Sequence, residues 1–431
     1  MSQLKSLRWM LLSEYPLSLL SSYFAIVAGI VSQIVLVPIY LATLGAAGFG
    51  TLVLVLGLIN YAAIGLGWLS GGLQRILGEA FGRNDRARFV RALDLGKIIF
   101  VAYAFAAALA GIGVFQAAGR PQLSLWAAIV AGFFLVASYE TAVERLALQA
   151  AARLAASNLL QFVQVVVYSI SVIAVLHGGG GLAGVFACQL GSILFVRLLV
   201  PLCWQRNRPR ADHSYAVSSL RPLLARLTGR MGGGYFIAGA LVLSGQSDVL
   251  VVGWLGGPEA AARYVLLWKV AEVGVTILWR ISESWVPILV RLDAVGERAR
   301  IRRQYKHVAG LLLMMAIPGG LAYALFGGWL TLLWLGPQHA PNDPMGFALA
   351  GAAIVWVGLA RLPSILAYGR ARFRLWNGLA FVEIAARLAL TIALFPRFGY
   401  LAPLLAVNIV HACGIAAAYQ WAGWRLVEGR A

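Results

Sequence analysis

The sequence predicts an all-α integral membrane protein, and three observations carry that prediction. Hydrophobic residues make up 61% of the chain and charged residues only 12%, against roughly 45–50% and about 25% in a soluble domain. Apolar runs of about 20 residues, enough to cross about 30 Å of hydrocarbon, recur from one end to the other. Lysine and arginine are sorted sharply between alternate connecting segments. No polar stretch exceeds roughly 30 residues, so no separate soluble domain is expected.

Taken in order, the chain opens with MSQLKSLRWMLLSEYPLS, a basic start whose short apolar run is broken by Glu14 and Pro16. It reads as an interfacial lead-in rather than a cleaved signal. About twelve transmembrane spans follow. Six lie near 17–44, 48–72, 97–118, 122–144, 157–176 and 181–203, and six near 231–256, 262–290, 308–335, 346–368, 376–395 and 399–422. Glycine recurs inside them, as close helix packing in lipid requires.

With the N-terminus placed inside, inward-facing segments hold 26 Lys and Arg residues, and outward-facing ones hold only Arg120, Arg263 and Arg397. The positive-inside rule then puts both termini in the cytoplasm. Most of the net charge of +19 is therefore a topology signal, and nucleic acid is not expected as a partner. Cys188, Cys203 and Cys413 lie in or beside apolar runs without a CxxC pair, which indicates neither a disulfide framework nor a zinc site.

The halves echo each other. Residues 32–53 align without gaps to 247–268 at an offset of 215, and the basic loops GRNDRARFVR (82–91) and ERARIRRQYK (297–306) follow in register. GGLAGV at 180–185 also resembles GYLAPL at 399–404. Each half holds six spans, so the repeats are parallel, related by an axis along the membrane normal. The expected domains are 1–203, a basic cytoplasmic linker at 204–230, and 231–431.

Six cations fall within or at the ends of spans: Arg75, Arg197, Lys269, Arg280, Arg361 and Arg387. In WKVAEVGVTILWRISESW (268–285), Lys269, Glu272, Arg280 and Glu283 share an arc of roughly 80° at about 100° per residue. A charge facing lipid at mid-helix costs at least about 2.5–3.5 kcal/mol. The stripe must therefore face protein or water. Two readings stay open: internal ion pairs at i,i+3 spacing, or the charged wall of a substrate path. Asp248, the i,i+4 pair Glu383 and Arg387, and Arg361 extend the pattern through the second half, with the milder Gln33 and Asn60 in the first. Glu140 and Glu144, near the inner surface, read as a solvated helix end.

Other motifs are bland. The GxGxxG within GGGGLAG sits at a turn between spans with no strand before it, so it does not read as a nucleotide site. The histidines are scattered; His411 alone lies in a span, where a packed or helix-bonded ring is the expectation. No catalytic or metal-binding spacing stands out, and the longest outer loop, GPQHAPNDPMG (336–346), consists mostly of turn residues.

The passages VPIYLATLG followed by FG, QSDVLVVGWLGGPEAAARY, and WVPILVRL above a basic loop resemble the Wzx-type polysaccharide and O-antigen flippases. These belong to the multidrug/oligosaccharidyl-lipid/polysaccharide (MOP) exporter superfamily, and the resemblance spans essentially the whole chain. It implies a MATE/MOP-like fold in which an N-lobe and a C-lobe form a V-shaped cavity with alternating access. The cargo would be an undecaprenyl-pyrophosphate-linked oligosaccharide, and the setting the bacterial inner membrane. Lys269, Arg280, Arg361 and Arg387 would supply cavity cations, joined by Glu272, Glu283, Asp248, Glu383, Gln33 and Asn60. No cofactor is implied beyond Na+ or H+ coupling. The implied partners are the lipid-linked substrate, the bilayer, and a polysaccharide polymerase with glycosyltransferases, the protein acting as a monomer. A cation-coupled multidrug exporter is the rival, kept open by Asp248, Glu272 and Glu383. A membrane glycan polymerase or ligase is the alternative from another class.

Overall fold

A computed structural model describes residues 2–117, 124–204, 232–285, 296–369 and 374–428, together with 289, 292 and 293. The linker at 204–230 lies outside the described residues apart from Trp204, and so do the side chains of the N-terminal lead-in. The architecture is all-helical: α1 (Ser2–Gly82), α2 (Arg86–Ala117), α3 (Leu125–Ala150), α4 (Leu154–His177), α5 (Gly181–Trp204), α6 (Gly232–Ser284), α7 (Arg298–Leu335), α8 (Pro344–Gly369), α9 (Arg374–Phe398), α10 (Ala402–Val410) and α11 (Ala416–Glu428).

Eight segments among the described residues are long and apolar enough to cross a membrane. Ten of the about twelve spans read from sequence fall in these eight segments, because Leu20–Ala62 and Trp376–Glu428 run for 43 and 53 residues, each at least about twice the length one crossing needs; the other two fall in α6. Several helices also begin earlier than the apolar runs suggest: α2 at Arg86 and α7 at Arg298. Hydropathy marks where lipid begins, whereas backbone hydrogen bonding continues into the basic segment.

α1 and α6 are each broken by one glycine, Gly45 at φ 70°, ψ 175° and Gly257 at φ 84°, ψ 175°. Only glycine holds that backbone without strain, so the two halves carry the same break at the same stage. The final span of each half opens the same way, with Gly181 at φ 56° and Gly399 at φ 54°. The gapless offset of 215 read from the sequence does not hold at this break. Gly45 and Gly257 stand 212 positions apart, so the break pairs Gly45 with Gly257 and not with Ala260.

The chain forms two compact units. The first comprises Met1–Gly48 and Gly65–Gly232. Its core includes Phe89 edge-on to Trp204, and the fully buried Leu73, Leu77, Val143 and Phe186. Polar groups are matched inside it: the Tyr40 and Tyr168 hydroxyls share a hydrogen bond. Glu144 is buried and bonded to Lys97 at 2.5 Å, and Glu140 meets Arg197 at 2.7 Å. Glu144 is thus an internal partner for a neighbouring helix, not part of a solvated end.

The second unit comprises Gly233–Ala431 and, from within α1, Phe49–Ile64. That inserted segment packs closely, since a Cβ on Gly50 would lie 1.8 Å from the Pro258 carbonyl oxygen. Between α10 and α11 the backbone widens into a π turn, His411–Ile415, with Gly414 at φ 136°. Such bulges occur often at functional positions, and this one carries His411 into the unit's interior.

Candidate functional site

The second unit holds two charged clusters of opposite character. The first is closed. α9 presents Glu383 and Arg387 one turn apart, and Arg387 Nη2 donates to Asp248 Oδ2 of α6 at 2.6 Å. Arg387 Nη1 lies 3.6 Å from Glu383 Oε1. Tyr264, beyond the Gly257 break, donates its hydroxyl to the same Asp248 oxygen at 3.1 Å. Asp248 therefore ties both limbs of α6 to α9. Tyr419 of α11 donates to Glu383 Oε2 at 2.5 Å, its ring stacked on Trp376 with centroids 4.3 Å apart.

His411 completes this cluster. Its Nδ1 lies 2.9 Å from the Val407 carbonyl and its Nε2 3.7 Å from Glu383 Oε1. A carbonyl can only accept, so Nδ1 carries a proton and Nε2 is left facing the carboxylate. Two carboxylates thus surround one guanidinium, and the proton content of His411 sets whether the cluster is neutral or carries one negative charge. Asp248 and Arg387 are 5% and 8% exposed. Buried charges persist only when paired and hydrogen-bonded, which is what the two tyrosines and the guanidinium provide.

The second cluster is open. Glu283 of α6 receives Arg280 Nη1 at 2.9 Å and, through its other oxygen, Arg361 Nη2 of α8 at 2.5 Å. Two guanidiniums share one carboxylate, leaving an excess of one positive charge. Trp279 also contacts Arg361, with the guanidinium carbon 5.1 Å from the ring centroid and the indole N–H donated to the Val357 carbonyl at 3.1 Å. The Arg280 side chain is 56% exposed, against 20% for Arg361. Arg361 is anchored, and Arg280 is presented.

Lys269 and Glu272 form a third, simple pair at 2.9 Å. The stripe anticipated from sequence is therefore internally paired at both i,i+3 steps. Eight of the ten residues singled out from the sequence fall into these three groups. Gln33 and Asn60 do not; both are exposed on their own units. Sequence reasoning missed Tyr264, Tyr419 and Trp279, whose rings look like ordinary apolar filling in a membrane span. It anticipated a helix-bonded His411, but not that the ring's other nitrogen meets Glu383. Among the described residues no group of His, Cys, Asp and Glu could hold a metal ion.

No protein-family model matches the chain, and no curated protein does. Solved structures do. An inward-facing multidrug resistance MATE family transporter of the MOP superfamily superposes with a TM-score of 0.69 at 14% identity, covering 95% of this chain and 96% of that one. The chain has a MATE-like fold. A mutant of the Vibrio cholerae MATE transporter VcmN matches over 100% of this chain and 98% of its own, at TM-score 0.58 and 14% identity. A MOP superfamily transporter from Pyrococcus furiosus, described as having a binding pocket of reversed polarity that suggests a different function, matches at TM-score 0.58 and 14% identity over 95% and 93%. At such identity the shared property is the fold. The charges of this MATE-like, multi-pass membrane protein are read from its own side chains.

Proposed function

We propose that the chain is a flippase for an anionic lipid-linked glycan, moving undecaprenyl-pyrophosphate-linked repeat units across a bacterial inner membrane for surface polysaccharide assembly. The observation that carries this reading is the open cluster, in which Arg280 and Arg361 share one carboxylate. Arginine suits phosphate because its planar fork donates two parallel hydrogen bonds. A pyrophosphate with its sugars cannot enter hydrocarbon unaided, and a half-exposed arginine backed by an anchored one offers it a partner. The Pyrococcus furiosus transporter's reversed pocket polarity supports the view that this fold does not fix the sign of its cargo.

The closed cluster suits coupling rather than cargo. Arg387 is already held between two carboxylates, and His411 beside Glu383 offers a place where a proton can reside; H+ or Na+ is the coupling ion of this reading. A polymerase and glycosyltransferases acting on the same lipid-linked units would be its partners, and the protein would act as a monomer.

The test is complementation. Cells lacking the chain should accumulate lipid-linked repeat units on the cytoplasmic side, and the Arg280→Ala/Arg361→Ala variant should fail to relieve this while still inserting. Full relief by that variant would sink the anion role. The second reading, a cation-coupled multidrug exporter, is favoured by the two carboxylates set against one guanidinium in the closed cluster and by the multidrug transporters among the structural matches. Unchanged surface glycan with altered drug sensitivity would select it.

A further inference from the structure

The start of α7 carries a second arginine-rich feature, separate from the charged clusters and independent of the cargo. Arg302 and Lys306 lie one turn apart, both over the Trp424 ring of α11, at 5.0 Å and 5.5 Å from its centroid. Buried Tyr305 between them seats the indole, with ring centroids 6.5 Å apart, and bonds Gln420 Oε1 at 3.2 Å. The positive-inside rule explains why cations occur in this segment. It does not explain why two of them converge on one ring, since like charges at i,i+4 repel.

The same helix face continues differently. Seven residues after Lys306 stands Leu313, then Ile317 and Leu321 at successive four-residue steps, 42%, 46% and 58% exposed. One stripe thus runs from two cations and an indole into an exposed apolar track, the profile of a single phospholipid laid along the helix. Nearby Arg300 is engaged with Glu297 at 3.3 Å. Among the described residues no carboxylate is paired with Arg302 or Lys306.

We propose that Arg302, Lys306 and Trp424 form a head-group site for an anionic glycerophospholipid, its phosphodiester between the two cations and one acyl chain along Leu313 and Ile317. Basic clusters beside membrane helices attract anionic lipid in this way, and tryptophan favours the same depth.

Native mass spectrometry of the full-length, delipidated protein with phosphatidylglycerol or phosphatidylcholine tests it. The wild type should retain phosphatidylglycerol preferentially. Arg302→Gln/Lys306→Gln should lower that retention by roughly ten- to thirty-fold with phosphatidylcholine unchanged. Arg300→Gln, and Lys306→Arg which keeps the charge, should behave as wild type. Undiminished phosphatidylglycerol binding in the double variant would overturn the site. So would displacement of the lipid by inorganic phosphate alone, which would make it a site for free anions.

Discussion

The closed and open clusters of the second unit are built from the same residue types, yet they differ in what is left over. Around Arg387, two carboxylates, two tyrosines and a histidine enclose one guanidinium, and the group is almost fully buried. Around Glu283, two guanidiniums compete for one carboxylate, and one of them is half exposed. The first arrangement spends its charge on holding helices together. The second keeps charge available. Burial and stoichiometry, rather than the presence of arginine, separate an arginine already committed to internal carboxylates from one left available to an anionic cargo.

Substitutions should grade along this contrast. Arg387→Ala strands two buried carboxylates, so it should cost about 3–5 kcal/mol. Thermal unfolding of the purified protein would read this, and an unchanged midpoint would mean the cluster is not closed. Tyr419→Phe removes one hydrogen bond to Glu383 and should cost about 1.5–3 kcal/mol by the same measurement. In the open cluster, Trp279→Phe keeps a ring beside Arg361 but loses the bond to Val357. Stability should fall by about 1 kcal/mol, and transport should weaken only several-fold, less than in the double arginine variant. Lys269→Gln breaks an i,i+3 pair whose glutamate is 45% exposed, and at about 0.2–0.5 kcal/mol its effect on unfolding should sit near the noise.

Much of this was legible in the sequence, for identifiable reasons. Hydropathy marked the membrane helices because lipid tolerates little else. The cost of charge in hydrocarbon showed that Lys269, Glu272, Arg280 and Glu283 had to face protein or water, and helical spacing named, as one of two open readings, two i,i+3 pairs that occur. Partners distant in sequence were another matter. Arg361 reaches Glu283 across 78 residues and Arg387 reaches Asp248 across 139, and a single sequence says that such a group needs a partner without saying which. Tyr264 and Tyr419 stayed hidden because a ring that fills apolar space and a ring that delivers a hydroxyl look alike in a hydropathy profile. Glu144 went astray for the opposite reason. Closeness to a helix end suggested water, but Lys97 had already claimed it.

The segment Phe49–Ile64 has a consequence for how the protein is made. It leaves the ribosome early yet belongs to a unit whose other residues begin at Gly233. At about 5–20 residues per second it waits roughly 10–30 s for them. During that interval the first unit can assemble while its own chain holds a helix in reserve. Dividing the gene within 205–231 would therefore not yield two self-sufficient fragments: the later one would lack a helix that only the earlier one can donate.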